Sequence, residues 1–444
     1  MNIKEKPKNS LEPALAQISS FSHDGRGIAL IQNKTTFIEG SLPGEIVSYK
    51  MVRKHTHFNE AKTIDVLHAS QDRAIPPCHH FDLCGGCSLQ HLSISTQLAL
   101  KQQAVLDQLK HIGRVEPEVV MPPLSANTSG YRRKARLGVK FVIKKNKVLV
   151  GFREKASRYL ADLDQCVILH PQVGEHLQEL SQLIASLEMY QHIPQIEIAI
   201  GDTDVALVFR CLIPITLGDK EKLISFGKQY LFQIYLQPNL PAQIEKIWPE
   251  NCPQRLSYTL PNQQIELLFH PLDFTQINLE ANRLMVTKAI ELLELNANDT
   301  VLDLFCGIGN FTLPIARYAR HVTGVEGNQE MIDRAKQNAL HNHIQNTDFY
   351  VSNLEKPITT ATWLNKQYDK ILLDPPRVGA KEILMYCKQF SPKRLVYISC
   401  HSATLARDAE ILSNQLGYRL TQIGIINMFP HTAHIETIAV FDPV

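Results

Sequence analysis

Nowhere in the 444 residues does an apolar run approach the roughly 18 that a membrane-spanning helix needs, and the opening MNIKEKPKNS carries charges with no apolar core behind it. A membrane segment and a secretory signal are thereby excluded, and a soluble, cytoplasmic protein with no membrane partner is expected. Glycine (21) and proline (24) are too few for a collagen-like or low-complexity chain, and no internal repeat is present. An excess of one charge is lacking too: 46 basic and 44 acidic residues leave a net +2, which by itself predicts no partner. Nine cysteines without a signal peptide argue against a disulfide framework and for metal-binding or catalytic thiols. What remains is an ordinary globular composition, 44% hydrophobic and 20% charged, over a length that calls for two or three cores. No obligatory protein partner is evident.

The near-neutrality is an average of two unlike parts. Residues 1–160 hold 24 basic and 13 acidic side chains, the remainder 22 basic and 31 acidic. The densest stretch, 131–158, carries eleven basic residues against Glu154 alone, a phosphate-seeking composition whose alternative is a solvated hairpin turning at Lys144 to Lys147. Residues 1–13, polar and broken by Pro7 and Pro13, read as a flexible lead. Over 14–70, short β-type runs (GIALI, TTFIEG, EIVSYKMV, EAKTIDVL) separated by turn residues predict a small β-barrel, a common nucleic-acid platform. Residues 71–270 hold a cysteine-dense loop, a helix near 95–112, the basic strands and a second, α+β core. From 271 to 444, the runs TVLDLFCG, HVTGVEG, DFYVSN, KILLDPP, RLVYISC and HIETIAVF recur mostly with helical stretches between them. Such alternation predicts an α/β, doubly wound parallel sheet with its ligand at the carboxyl ends of the strands.

The first of these strands runs into Asp303-Leu304-Phe305-Cys306-Gly307-Ile308-Gly309-Asn310. A dinucleotide fingerprint would place Gly or Ala three residues past Gly309, but Thr312 stands there, so pyrophosphate binding is disfavoured. Glu326 ends the second strand, where a carboxylate can accept from a ribose diol; Asn353 and Asp374 follow the third and fourth, and Asp303 precedes the turn. This series of polar groups along one sheet edge suits a nucleoside ligand. Over 271–444 the sequence resembles class I S-adenosylmethionine-dependent methyltransferases, which implies a Rossmann-like fold and that methyl donor.

The fifth strand delivers Cys400 at its carboxyl end. Uracil C5 is too poor a nucleophile to take a methyl group directly, whereas a thiolate adding at C6 turns C5 into an enolate-like centre; the C5 proton must then leave, which requires a base. Glu436 is the candidate, since alternation along His434-Ile435-Glu436-Thr437-Ile438-Ala439-Val440 sets it on the face of Ile438 and Val440, where burial raises its pKa. With Phe274-Thr275-Gln276-Ile277-Asn278, Asp374-Pro375-Pro376-Arg377, Ser399-Cys400 and His431-Thr432-Ala433-His434-Ile435-Glu436, the chain resembles the uracil-C5 RNA methyltransferase family. Carried over residue by residue, the resemblance implies Gln276, Phe305, Asn310, Glu326, Asn353 and Asp374 around the donor, Cys400 as nucleophile and Glu436 as base, with Asp374 alternatively touching the uracil edge. His431 and His434 are expected to give structural support, and Cys306 to pack.

Cys78, Cys84 and Cys87 flank Gly85-Gly86, and three local thiolates need a fourth ligand. Thiolates suit an iron–sulfur cluster or zinc equally, and His79 and His80 permit a mixed zinc site. The family resemblance implies Cys166 as the fourth ligand and a [4Fe-4S] cluster of structural role. Cys211, Cys252 and Cys387 are expected to be buried apolar residues. Residues 14–70 resemble a TRAM domain, an OB-like RNA-binding barrel, through His23-Asp24-Gly25-Arg26-Gly27 and Leu42-Pro43-Gly44-Glu45. Within the family, cluster cysteines together with this barrel imply methylation of one uracil in 23S ribosomal RNA. The competing readings are a uracil-C5 enzyme for another RNA, an N-methyltransferase using Asp-Pro-Pro to hold an exocyclic amine, and a non-catalytic RNA assembly factor.

Overall fold

A computed structural model describes residues 14–22, 24–238, 244–250, 255–358 and 361–444. The lead at 1–13, His23 and Cys252 lie outside the described residues. The chain forms two compact units: Met1–Phe81 with Cys87–Lys101 and His431–Ala433, and Asp82–Gly86 with Gln102–Pro430 and His434–Val444.

The first unit is built on β1 (Ala14–Gln17), β2 (Ser20–Phe21), β3 (Gly27–Ile31), β4 (Lys34–Glu39), β5 (Ile46–Lys54) and β6 (Phe58–His68). They form one sheet in the order β1-β5-β6-β4-β3-β2, antiparallel except between β4 and β6. Alternation along these strands buries Ala29, Ile38, Val47 and Ala61 on one face. The Leu42-Pro43-Gly44-Glu45 turn explains itself here. Glu45 is fully buried and receives Arg73 Nε at 2.6 Å, Arg73 Nη2 at 2.7 Å and the amides of Leu42 (2.8 Å) and Ser70 (3.1 Å). Burial alone would raise its pKa, but these four donors hold it below the usual carboxylate range.

In the second unit, β7 (Val119–Val120) is followed by β8 (Lys134–Val142), β9 (Lys147–Gly151), β10 (Gln195–Ile200), β11 (Val205–Cys211), β12 (Phe232–Pro238) and β13 (Glu245–Trp248). The last six pair in the order β13-β12-β11-β10-β8-β9, with helices Leu177–Ser186 and Leu217–Tyr230 between strands in the chain. The Lys144 to Lys147 turn joins β8 to β9 as a hairpin. Part of its positive charge is spent locally, since Lys145 and Lys147 reach Asp162 at 2.9 and 2.7 Å and Arg136 reaches Glu197 at 2.9 Å.

A hairpin of β14 (Leu256–Leu260) and β15 (Ile265–Phe269) leads to β16 (Thr300–Leu304), β17 (His321–Glu326), β18 (Thr347–Val351), β19 (Lys370–Leu373), β20 (Arg394–Ser399), β21 (Tyr418–Ile426) and β22 (Glu436–Pro443). The large sheet has the order β18-β17-β16-β19-β20-β22-β21-β7. Strands β16 to β20 are parallel; β16, β19 and β20 are buried almost throughout, which is why they read as largely apolar runs, whereas the edge strand β18 is only partly buried. One sequence expectation is corrected, and two strands go beyond the sequence reading. The run HIETIAVF is not a further parallel strand: β22 lies antiparallel between β20 and β21. Strand β21 had not been expected, and β7 joins the edge of this sheet from outside 271–444. The β14-β15 hairpin, expected within 71–270, contributes Leu256, Leu267 and Phe269 to the core that also holds Val301, Leu372 and Val396.

Candidate active site

The carboxyl ends of the parallel strands open into a cleft of about 700 Å³. Gln276, Phe305, Asn310, Glu326, Asn353, Asp374, Cys400 and Glu436 all line it. At its base the chain turns sharply after β16. Phe305 takes a left-handed φ of 67°, rare for a residue with a side chain, and the amides of Phe305 and Cys306 both donate to the Val325 carbonyl, at 2.9 and 3.1 Å. Gly307 follows at φ 53° with nothing within 4 Å of where a Cβ would stand. The backbone is therefore bare toward the cleft, a surface against which a flat ligand can lie.

The polar groups around this floor are preset. Glu326 accepts from the amides of Gly307 (3.3 Å), Gly327 (2.8 Å) and Asn328 (3.1 Å). Asn310 exchanges hydrogen bonds with Asn282 at 2.9 and 3.0 Å and accepts from the Tyr258 hydroxyl at 2.9 Å. Asn353 accepts from the Glu355 amide at 3.0 Å. Asp303 does not belong with them: it is fully buried, accepts from Thr312 Oγ1 at 2.5 Å and is absent from the cleft wall, so its role is to hold the turn.

Cys400 and Glu436 meet through strand register. Ser399 pairs with Thr437 at the end of the antiparallel β20-β22 ladder, so Cys400 and Glu436 are the next residues at that end of the two chains, and both line the cleft. Thr437 Oγ1 fastens this end of the ladder by donating to the Ser399 carbonyl at 3.1 Å. Burial, then Glu436 and Asp374, push the Cys400 thiol up to about 11, while Arg377 pulls the other way. Burial, aided by Asp374, raises Glu436 well above the usual carboxylate range, and burial lifts Asp374 to about 7. Both carboxyls are poised to ionise when a cation enters beside them.

A raised folded-state pKa means that the neutral carboxyl of Asp374 stabilises the fold fully below its unfolded value near 4, and that this contribution is lost as pH rises through about 7. Relative to wild type, Asp374→Asn should gain thermal stability between about pH 5 and pH 8, by at least the roughly 2–4 °C that 1 kcal/mol represents in a domain of this size. Melting curves of both proteins at the two pH values test this; a constant difference would contradict it.

Sequence inspection missed several lining residues. Tyr258 arrives from the β14-β15 hairpin, which carries no motif. Phe274 and Arg377 lay inside quoted motifs without assigned roles. Of the two histidines, His434 is exposed, lines the cleft and packs edge-on to Phe429 at 5.6 Å. His431 is buried in the first unit, its amide donating to Gln97 Oε1 at 2.9 Å. Among the remaining cysteines, Cys78 and Cys87 belong to the first unit, Cys84 and Cys166 to the second. Cys84 lies in a core against which Cys166 packs, and the Gly86 amide donates to Cys84 Sγ at 3.4 Å. Cys211, Cys306 and Cys387 are buried.

A family model described as tRNA (Uracil-5-)-methyltransferase matches residues 254–442. A 23S rRNA (uracil(1939)-C(5))-methyltransferase RlmD of Francisella tularensis subsp. novicida (strain U112) is 50% identical over 434 residues, covering 97% of this chain and 96% of its own length. One from Legionella pneumophila (strain Lens) is 46% identical over 439 residues, covering 99% of each. Among solved structures, the Pyrococcus abyssi tRNA (uracil-54, C5)-methyltransferase in complex with S-adenosyl-L-homocysteine aligns with a TM-score of 0.75 at 24% identity, over 96% of this chain and 100% of that one. That likeness is one of fold, and it is the class I methyltransferase fold already seen in the β16 to β22 sheet. Matched along nearly its whole length by such relatives, the chain belongs to the RNA uracil-C5 methyltransferase family.

Proposed function

We propose that the protein transfers a methyl group from S-adenosylmethionine to C5 of one uracil in 23S ribosomal RNA, through a covalent adduct with Cys400. The observation that carries this reading is the juxtaposition of Cys400 and Glu436 in the cleft whose other lining residues suit a nucleoside-bearing donor. The RlmD relatives, alike over almost their full length, support the choice of RNA.

When bound, S-adenosylmethionine supplies an electrophilic methyl group. Glu326, placed to accept from a ribose diol, Phe305 with the bare backbone at Gly307, and Gln276, Asn310, Asn353 and Asp374 would hold the donor in this cleft. The Cys400 thiol loses its proton to water, a loss that Arg377 favours; the thiolate adds to C6 of the uracil, and the displaced π electrons make C5 nucleophilic toward the methyl group. The Glu436 carboxylate then removes the C5 proton; the freed electron pair restores the C5–C6 double bond and expels the thiolate. Stacked bases hide C6, so the target must leave its helix.

Phe274, 74% exposed at the mouth of the same cleft, is placed to stack on a nucleobase there. Phe274→Ala should weaken RNA binding by about 1–3 kcal/mol without changing donor affinity, as fluorescence anisotropy and calorimetry can separately show.

The first unit acts in this reading as a TRAM-type RNA platform, together with the basic β8-β9 hairpin. Cys78, Cys84, Cys87 and Cys166 would hold a [4Fe-4S] cluster of structural role. The Gly86 amide on Cys84 Sγ fits such a site, since hydrogen bonds to sulfur accompany cluster ligation. Cys84→Ser should lower iron and sulfide content together; zinc at one equivalent in the wild-type protein would replace the cluster by a thiolate zinc site. No helix among the described residues is long and apolar enough to cross a membrane. Mass mapping of ribosomal RNA from cells lacking the protein tests the whole assignment: one 5-methyluridine should vanish from 23S RNA, and an unchanged methylation map would refute it.

A further inference from the structure

The second unit holds another cavity, of about 660 Å³, whose lining includes Tyr131, Arg133, His170, Asn278, Glu280 and Arg283. The chemistry above makes no use of it. Its charges are unevenly committed. The Arg283 guanidinium donates to Asp202 at 2.9 Å, to Glu280 at 2.6 Å and to the Thr259 carbonyl at 2.9 Å, so both carboxylates are already paired, although their charges also reach Arg133. Arg133 is placed differently. Its guanidinium donates to the Gly201 carbonyl, a neutral acceptor, and among the described residues no carboxylate forms an ion pair with it. Burial lowers its pKa, the mark of a cation held partly out of water.

A second group lining the cavity also lacks a partner. Asn278 caps the helix Leu279–Leu293, its Oδ1 accepting from the Ala281 amide at 3.1 Å. It is 1% exposed, and its Nδ2 has no hydrogen-bond partner. His170 Nδ1 is likewise unanswered, and burial together with Arg133 depresses its pKa, so the ring is neutral near pH 7. An under-paired guanidinium, an amide donor without an acceptor and the positive end of a 15-residue helix thus meet at one cavity.

We infer that this cavity is a phosphate subsite, holding one phosphodiester of the RNA strand whose uracil enters the neighbouring cleft. Chain connectivity supports the pairing of the two sites. Phe274, Thr275 and Gln276 line the donor cleft, Asn278 lines this one, and between them the Arg133 amide donates to the Ile277 carbonyl at 2.8 Å. A phosphate gripped at Asn278 and Arg133 is therefore registered against Gln276 through two residues of chain. The inference rests on RNA being the substrate.

The test uses an RNA oligonucleotide that the wild-type protein methylates. For Arg133→Gln, the slope of log affinity against log salt should become shallower by about 0.7–0.9, the value of one lost phosphate contact, whereas Arg133→Lys should keep it. Replacing phosphates one at a time by uncharged methylphosphonate should reveal one linkage that weakens wild-type binding about tenfold and weakens Arg133→Gln no further. An unchanged slope for Arg133→Gln, or the same methylphosphonate penalty in both proteins, overturns the subsite while leaving the methylation reading intact. A wild-type protein that methylates no RNA overturns that reading, and the subsite with it.

Discussion

Cys400→Ala should abolish methylation of ribosomal RNA, by roughly ten-thousand-fold or more, while the variant still binds S-adenosylmethionine. The size of the effect follows from the electronic demand. Without sulfur at C6, C5 carries too little electron density to attack a methyl group, and among the described residues no other thiol lines the same part of the cleft: Cys306, the other lining cysteine there, is buried beside the turn. RNA containing 5-fluorouracil gives the complementary readout. The wild-type protein should stall as a complex that survives a denaturing gel, because fluorine cannot leave C5 as a proton does, and Cys400→Ala should form none. Substantial turnover by Cys400→Ala would instead favour transfer to an exocyclic amine, with Asp374-Pro375-Pro376 holding the amino group.

Glu436→Gln should have the opposite signature: RNA bound and methylated once, then trapped. The amide cannot take the C5 proton, so elimination stops and the protein–RNA adduct accumulates; steady-state turnover should fall by about 10²- to 10⁴-fold. Folding should not suffer. Burial, aided by Asp374, raises the Glu436 carboxyl well above the usual carboxylate range and so favours its neutral form, whose shape glutamine reproduces at 2% exposure. Ordinary gel mobility of RNA incubated with this variant would remove Glu436 as the base.

The parts of this site that were legible in the sequence are those whose position depends on local chain geometry. Each parallel strand announces itself as an apolar run, and the residue after it must stand at the carboxyl edge; Glu326, Asn353, Asp374 and Cys400 were therefore placed by counting. Glu436 was found by alternation along a strand, although the direction of that strand was not. Orientation is set by pairing with β20 and β21, partners distant in sequence, and leaves no trace in periodicity. The same holds for β7, two residues whose only structural cue is a neighbour some 300 positions away. Tyr258 escaped notice because it reaches Asn310 from a hairpin with no chemical motif. Asp303 was over-read for the converse reason. Its place before the turn looked ligand-facing, but alternation turns it inward to Thr312.

The position of β22 bears on how the protein fails when warmed. This strand is laddered on both sides, to β20 and to β21, and it begins with the proposed base while β20 ends one residue before the proposed nucleophile. Amide hydrogens in such a doubly bonded strand exchange only when the sheet as a whole opens. Catalytic decay on heating should therefore track loss of the folded state itself, with no temperature window in which an intact sheet survives as a dead enzyme.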